Sequence, residues 1–145
     1  MINEQEIDKE KVLIMAQDEG RFGRVNIPRA SWAPLGIRPS VPKQIVRQSF
    51  YVYSAVAPSI GKISSLILPF GNTEMMNIFL SNVSEDFVNN EVIMQVDGAG
   101  WHKSKDLEIP KNIHLIVQPA YSPELNPVEH IWESIRENYL VSVKK

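Results

Sequence analysis

Cysteine is absent from the 145 residues, which excludes disulfides, thiolate zinc sites and cysteine nucleophiles and leaves oxygen and imidazole as metal ligands. No apolar run approaches the roughly eighteen residues that a membrane helix needs, and no charged-then-apolar leader opens the chain. The expectation is a cytoplasmic protein with no membrane contact. Acidic side chains are missing from Gly20 through Thr73, a stretch that carries Arg21, Arg24, Arg29, Arg38, Lys43, Arg47 and Lys62. The formal net charge of −2 therefore conceals a strongly basic segment. Such a segment suits a phosphate backbone, and equally suits a solvated hairpin paired with acids from the other half.

What remains is ordinary globular material, 43% hydrophobic and 22% charged, enough for one domain with a sizeable core. The reading is a single domain over 1–145 with its core at about 12–139, and without repeats, low-complexity tracts or internal linkers. Lys11 to Gln17 (KVLIMAQ) has the length of a buried strand and predicts a strand ending at Asp18-Glu19. Gly20 to Pro42 reads as a hairpin or extended arm. Gln44 to Ala57 and Lys62 to Leu68, broken by Pro58-Ser59-Ile60-Gly61, predict two antiparallel strands. The apolar spacing after Thr73 predicts a helix capped near its start. Glu91 to Val96 is a second strand ending in an acid, Asp97, and Ile113 to Val117 a further strand. From Asn126 onward, Val128, Ile131, Trp132, Ile135 and Tyr139 recur at helical spacing. This order gives an α/β fold, a mixed β-sheet flanked by α-helices.

In such sheets, sites gather where strand ends converge. Two strand-end aspartates and a glutamate on a crossing helix would present carboxylate oxygens to hard divalent cations, which take few protein ligands and share the rest with water and phosphate. Two such ions support in-line phosphoryl displacement with no protein nucleophile. Each acid also has a plainer reading. Strands often end in polar residues, and Asn126-Pro127-Val128-Glu129 reads as a helix start with Glu129 in a capping role. Glu124 competes for the third position from a less rigid loop.

Three segments carry a resemblance. They are Ala16-Gln17-Asp18-Glu19-Gly20-Arg21-Phe22-Gly23, Val96-Asp97-Gly98-Ala99-Gly100-Trp101-His102-Lys103-Ser104, and Tyr121 to Trp132 (YSPELNPVEHIW). They resemble the DDE transposases related to mariner, and within these the bacterial insertion-sequence six-thirty group. The final segment is the most specific, and 31 residues separate Asp97 from Glu129. The resemblance implies an RNase H-like fold and places the catalytic, metal-holding acids at Asp18, Asp97 and Glu129. It further implies two divalent ions, Mg2+ or Mn2+, together with DNA partners at element ends and target, a homodimer, and a location at the bacterial nucleoid. Relatives commonly have Asn after the second aspartate, where this chain has Gly98. Full-length relatives also carry an N-terminal helix-turn-helix region for which this chain has no room.

Around these acids, Arg21, Arg24, Arg38, Lys43, Lys103 and Lys105 are candidate phosphate contacts by charge and placement. Glu19, His102 and His130 are accessory candidates. For His102 a structural hydrogen bond in the loop is the plainer role, and His114 reads as packing. Trp132 falls on the apolar stripe of its helix and reads as core, while Trp101 and Trp32 are candidates for stacking or a subunit contact. Rival functions are another RNase H-like nuclease, an inactive remnant serving as a DNA-binding or dimerisation module, and, remotely, a glycoside hydrolase with paired carboxylates.

Overall fold

The structure, a computed structural model, describes residues 11–23, 32–37, 48–119, 122 and 125–139, with Trp101 in its main chain only. Five strands form one sheet: β1 (Val12–Gly23), β2 (Ser49–Ala57), β3 (Lys62–Leu68), β4 (Glu91–Val96) and β5 (Ile113–Val117). Helix α1 (Thr73–Asp86) lies between β3 and β4, and α2 (Val128–Asn138) follows β5. The strand order is β3-β2-β1-β4-β5. The β1–β2 and β2–β3 pairs are antiparallel, and the β1–β4 and β4–β5 pairs are parallel. The mixed sheet with helices is the architecture expected from the order of elements.

Alternation along β1 divides its side chains between two cores. Leu13 and Met15 join Tyr53, Ala55, Val92 and Met94 beneath α1, which contributes Met76, Phe79, Leu80 and Val83, all fully buried. On the opposite face Ala16 and Phe22 pack with Val128 and Trp132 of α2. The cap of α1 is Asn72 rather than Thr73, since the Asn72 Oδ1 accepts from the Met75 backbone N–H at 2.9 Å. At α2 the Asn126 side chain accepts from the Val128 N–H at 3.0 Å, so Asn126 caps the helix start as its sequence position predicts, and the helix itself begins at Val128.

Asp18 does not end the first strand, contrary to the expectation. Parallel pairing with β4 stops at Ala16↔Gln95, but antiparallel pairing with β2 continues from Ala16↔Val56 to Gly23↔Ser49. Backbone groups on the β2 side thus stay satisfied, and the strand runs on as half of a hairpin arm. Of the basic arm, Arg24, Arg29, Arg38, Lys43 and Arg47 lie outside the described residues, as do Tyr121, Pro123 and Glu124 of the proline-rich loop.

Gly20 explains how α2 comes down onto β1. A Cβ at this position would sit 2.8 Å from a Phe22 ring carbon and 3.0 Å from the Trp132 indole. The Trp132 and Phe22 rings themselves meet edge to face, centroids 5.8 Å apart. Gly20→Ala should therefore push Trp132 off the sheet, lowering stability by ~1–3 kcal/mol in urea unfolding; an unchanged midpoint would show that the indole has room to retreat.

Candidate active site at the converging strand ends

Parallel pairing of β1 with β4 sets the geometry. Its register, Ala16↔Gln95, carried forward two residues, sets Asp18 opposite Asp97. Asp18 remains within a paired strand, whereas Asp97 is the first residue beyond β4. Glu129 is the acidic residue of the first turn of α2. All three acids line one cleft of about 400 Å³, together with Gly98, Lys103, Gln118, Ser122 and Asn126. The fold thus brings together residues separated by more than a hundred positions.

Each acid is held by identifiable partners. The Trp132 indole N–H donates to Asp18 Oδ2 at 2.7 Å, so Trp132, expected as core and 2% exposed, also orients the first aspartate. Asp97 Oδ1 accepts from the Ala99 N–H at 2.9 Å and lies 2.8 Å from His102 Nδ1. The Glu129 backbone N–H donates to the Asn126 carbonyl at 3.3 Å. Asn126 is buried and its amide also donates to the Gln17 carbonyl at 3.1 Å. The turn that carries Glu129 is in this way pinned directly to the strand that carries Asp18.

Electrostatics mark Asp18 as the strained member. Its carboxyl is pushed up to about 6, chiefly by burial, partly offset by the Trp132 hydrogen bond and reinforced by the negative charges of Glu129 and Glu19. Crowded carboxylates in a cleft form an environment that a cation relieves. The pKa of His102 is raised as well, against its burial and by its acidic partners. Burial alone would lower its pKa, but the hydrogen bond and charge of Glu19, then the carbonyl and charge of Asp97, hold it above 6.5.

The donor set fits hard divalent ions. It consists of carboxylates plus the amide and hydroxyl oxygens of Gln118, Ser122 and Asn126. Among the described residues no three His, Asp or Glu side chains are arranged to hold a single ion together. A magnesium-sized ion ordinarily takes one or two carboxylates and completes its shell with water and substrate phosphate, so the lining residues suffice.

The other expected site residues scatter. Glu19, next to Asp18, turns to the α1 face and meets His102, Nε2 to Oε1 at 3.1 Å. The His102 side chain is fully buried, which gives the expected structural hydrogen bond two partners in place of one. Lys103 lines the cleft, its Nζ 3.9 Å from where a Cβ on Gly98 would stand. Arg21 is exposed and donates from Nε to Ser49 Oγ at 3.3 Å. Lys105 is exposed and does not line the cleft. His130 is exposed, 3.6 Å from Glu133 on its own helix, and likewise does not line it. His114, read as packing, is half-buried and faces Glu91 at 3.0 Å. Sequence reasoning missed Gln118, Ser122 and Asn126 as lining residues. Of these, Gln118 had a signal, since it follows a strand end as Asp97 does.

Comparison with known proteins places these features in a family. The sequence profile of the DDE superfamily endonucleases matches residues 13–144. An uncharacterised protein of Sinorhizobium fredii (strain NBRC 101917 / NGR234) is 40% identical over 91 residues, 62% of this chain and 67% of its own length. The transposable element Tcb2 transposase of Caenorhabditis briggsae is 24% identical over 135 residues, 83% of this chain and 50% of its own. Among solved structures, the Mos1 strand transfer complex superposes with a TM-score of 0.66 at 18% identity, covering 88% of this chain and 41% of that one. The Mos1 mariner paired end complex with Mn gives 0.67 at 18%, covering 86% and 41%. The chain thus spans half to two thirds of these two relatives and about two fifths of the Mos1 chains. Its fold is RNase H-like, as the motifs implied.

A stability test follows from Asp18. A carboxyl whose folded value of about 6 exceeds its ordinary 3.8 opposes folding once ionised. The penalty is absent below the ordinary value, grows between the two, and is full above about 6. Asp18→Asn retains an acceptor for the Trp132 N–H and removes the charge. Without divalent ions it should raise stability by ~1–3 kcal/mol at pH 8, with the gain disappearing near pH 4. Equal or lower stability of the variant at pH 8 in thermal melts would contradict the crowding.

Proposed function

We propose, given that the chain belongs to the DDE superfamily endonuclease family, that it carries the catalytic chemistry of a DNA transposase: hydrolysis of a phosphodiester at an element end, then attack of the freed 3′-hydroxyl on target DNA. The observation that carries this reading is the convergence of Asp18, Asp97 and Glu129 on one cleft, from the three segments whose motifs resemble that family. The agreement of those motifs with the bacterial insertion-sequence six-thirty group supports the same chemistry at the nucleoid of a bacterial cytoplasm.

In this reading Asp18, Asp97 and, from α2, Glu129 are the residues that would hold two divalent ions. Mos1 structures have been solved with Mn and with Mg. When bound, the ions supply activation of the attacking oxygen and charge stabilisation at the leaving oxygen. This chain's own residues do the rest. Trp132 orients the Asp18 carboxylate by its indole N–H, and Asn126 fixes Glu129 against β1. Lys103, which lines the cleft beside Gly98, would meet a phosphate oxygen, and Arg21 on the outer arm the strand further along. Gly98, where relatives commonly have Asn, leaves that part of the cleft to the lysine. Arg24, Arg38 and Lys43 extend the same basic stretch, and Lys105 adds charge on the loop after β4. Joining two element ends calls for two such sites, and we assign the working form as a homodimer on DNA.

The test uses supercoiled plasmid with Mn2+ or Mg2+ and reads nicking. Wild type should nick only with the ion present, and Asp97→Asn and Glu129→Gln should each lose more than about a hundredfold, a loss of ligands exceeding the usual cost of removing their supports. Nicking by both variants at the wild-type rate would end the assignment.

A further inference from the structure

His102 is buried between two acids that belong to different elements. Its Nε2 lies 3.1 Å from Glu19 Oε1 on β1. Its Nδ1 lies 2.8 Å from Asp97 Oδ1 and 3.1 Å from the Asp97 carbonyl oxygen. The His102 backbone N–H donates to the Ala99 carbonyl at 3.1 Å, closing the short loop that begins at Asp97. Glu19 Oε1 also accepts from the Gln17 amide at 3.0 Å. An unbroken chain of contacts thus runs from Gln17 through Glu19 and His102 to the carboxylate of Asp97.

The placement matters because Asp97 has no strand to hold it. Asp18 is paired on the β2 side, but Asp97 lies past the end of β4, with its side chain about half exposed at 48%. It is followed by Gly98, whose backbone is less restrained than that of other residues. The Ala99 N–H holds the Asp97 Oδ1 at 2.9 Å, but that contact comes from the same loop and moves with it, so it does not fix the carboxylate relative to β1. The imidazole is rigid, its side chain is fully buried, and each nitrogen has an acid beside it, Glu19 at Nε2 and Asp97 at Nδ1. Because Glu19 is adjacent to Asp18 on β1, the imidazole ties the second aspartate to the strand that carries the first.

We propose that His102, tethered by Glu19, is the positioning residue of Asp97: it sets the distance and orientation of that carboxylate relative to Asp18 and so determines how tightly the pair takes a divalent ion. The inference rests on the reading of Asp18 and Asp97 as metal-holding acids. It assigns His102 no contact with the ion or the DNA. Supporting groups of this kind ordinarily change metal affinity by about ten- to a hundredfold when removed, because a ligand left free to turn must be ordered at the moment of binding.

The experiment measures Mn2+ binding to the full chain by calorimetry without DNA, beside thermal melts in the absence of metal. His102→Asn retains a nitrogen near Asp97 but cannot reach Glu19, and Glu19→Ala removes the tether while leaving the imidazole. Each should weaken Mn2+ binding by about tenfold or more. Glu19→Gln, which keeps an acceptor for Nε2–H, should weaken it by less than about threefold on the same scale. A purely structural role predicts lower melting temperatures with Mn2+ affinity of the folded protein unchanged, and that result overturns the proposal. Should the His102 variant fail to fold, the contrast between Glu19→Ala and Glu19→Gln decides it, equal affinities counting against. Asp97→Asn is the reference. If it binds Mn2+ as wild type does, the metal-site reading itself fails, whereas loss in Asp97→Asn with wild-type binding in the His102 and Glu19 variants rejects the positioning role alone.

Discussion

Parallel pairing between β1 and β4 is the constraint on which the site depends. A one-residue slip in this register would send every β1 side chain to the opposite face, burying Asp18 under α1 and exposing Leu13 and Met15. The register is held because Leu13, Met15, Val92 and Met94 must share the core beneath α1. Burial of these apolar side chains therefore places two carboxylates that are themselves unfavourable where they stand. The free energy that keeps Asp18 in an environment raising its carboxyl to about 6 comes from the hydrophobic core on the other side of the sheet.

The second face of the sheet serves the site directly. Helix α2 is short and buries only Val128 and Trp132 fully, yet each end of its contact with β1 has a functional consequence. Trp132 packs where Gly20 has no side chain and donates to Asp18. Asn126 ties the helix start to the Gln17 carbonyl and brings Glu129 alongside. Packing and positioning are here one set of contacts, and a change made for stability on this face acts on the carboxylates too.

Much of this was legible in the sequence because local and global signals agreed. Glu91–Val96 and Ile113–Val117 fall where their apolar runs predict strands, and Val128–Asn138 where the apolar stripe predicts a helix. The acids stood out because they follow apolar runs or open a helix. What was not legible depended on contacts across the chain. The run to Asp18 looks finished in isolation, and only its pairing with β2 carries β1 on to Gly23. Thr73 and Asn72 are both good caps by composition, and the choice fell to the residue whose side chain reaches Met75. Trp132 read as core because periodicity reports burial and is silent about where an indole N–H points. His102 read as a loop hydrogen bond, since nothing local shows Glu19, 83 positions away, at its other nitrogen.

The two faces also divide the labour between the aspartates. Asp18 is held from the α2 side by Trp132, while Glu19, one residue on, points to the α1 side and reaches Asp97 through His102. One dipeptide of β1 thereby controls both carboxylates through different layers of the fold. This accounts physically for two acids in succession on β1, even though only one of them lines the cleft. Side chains on successive strand residues cannot reach the same point, so Glu19 is excluded from the cleft by geometry and acts on it only at second hand.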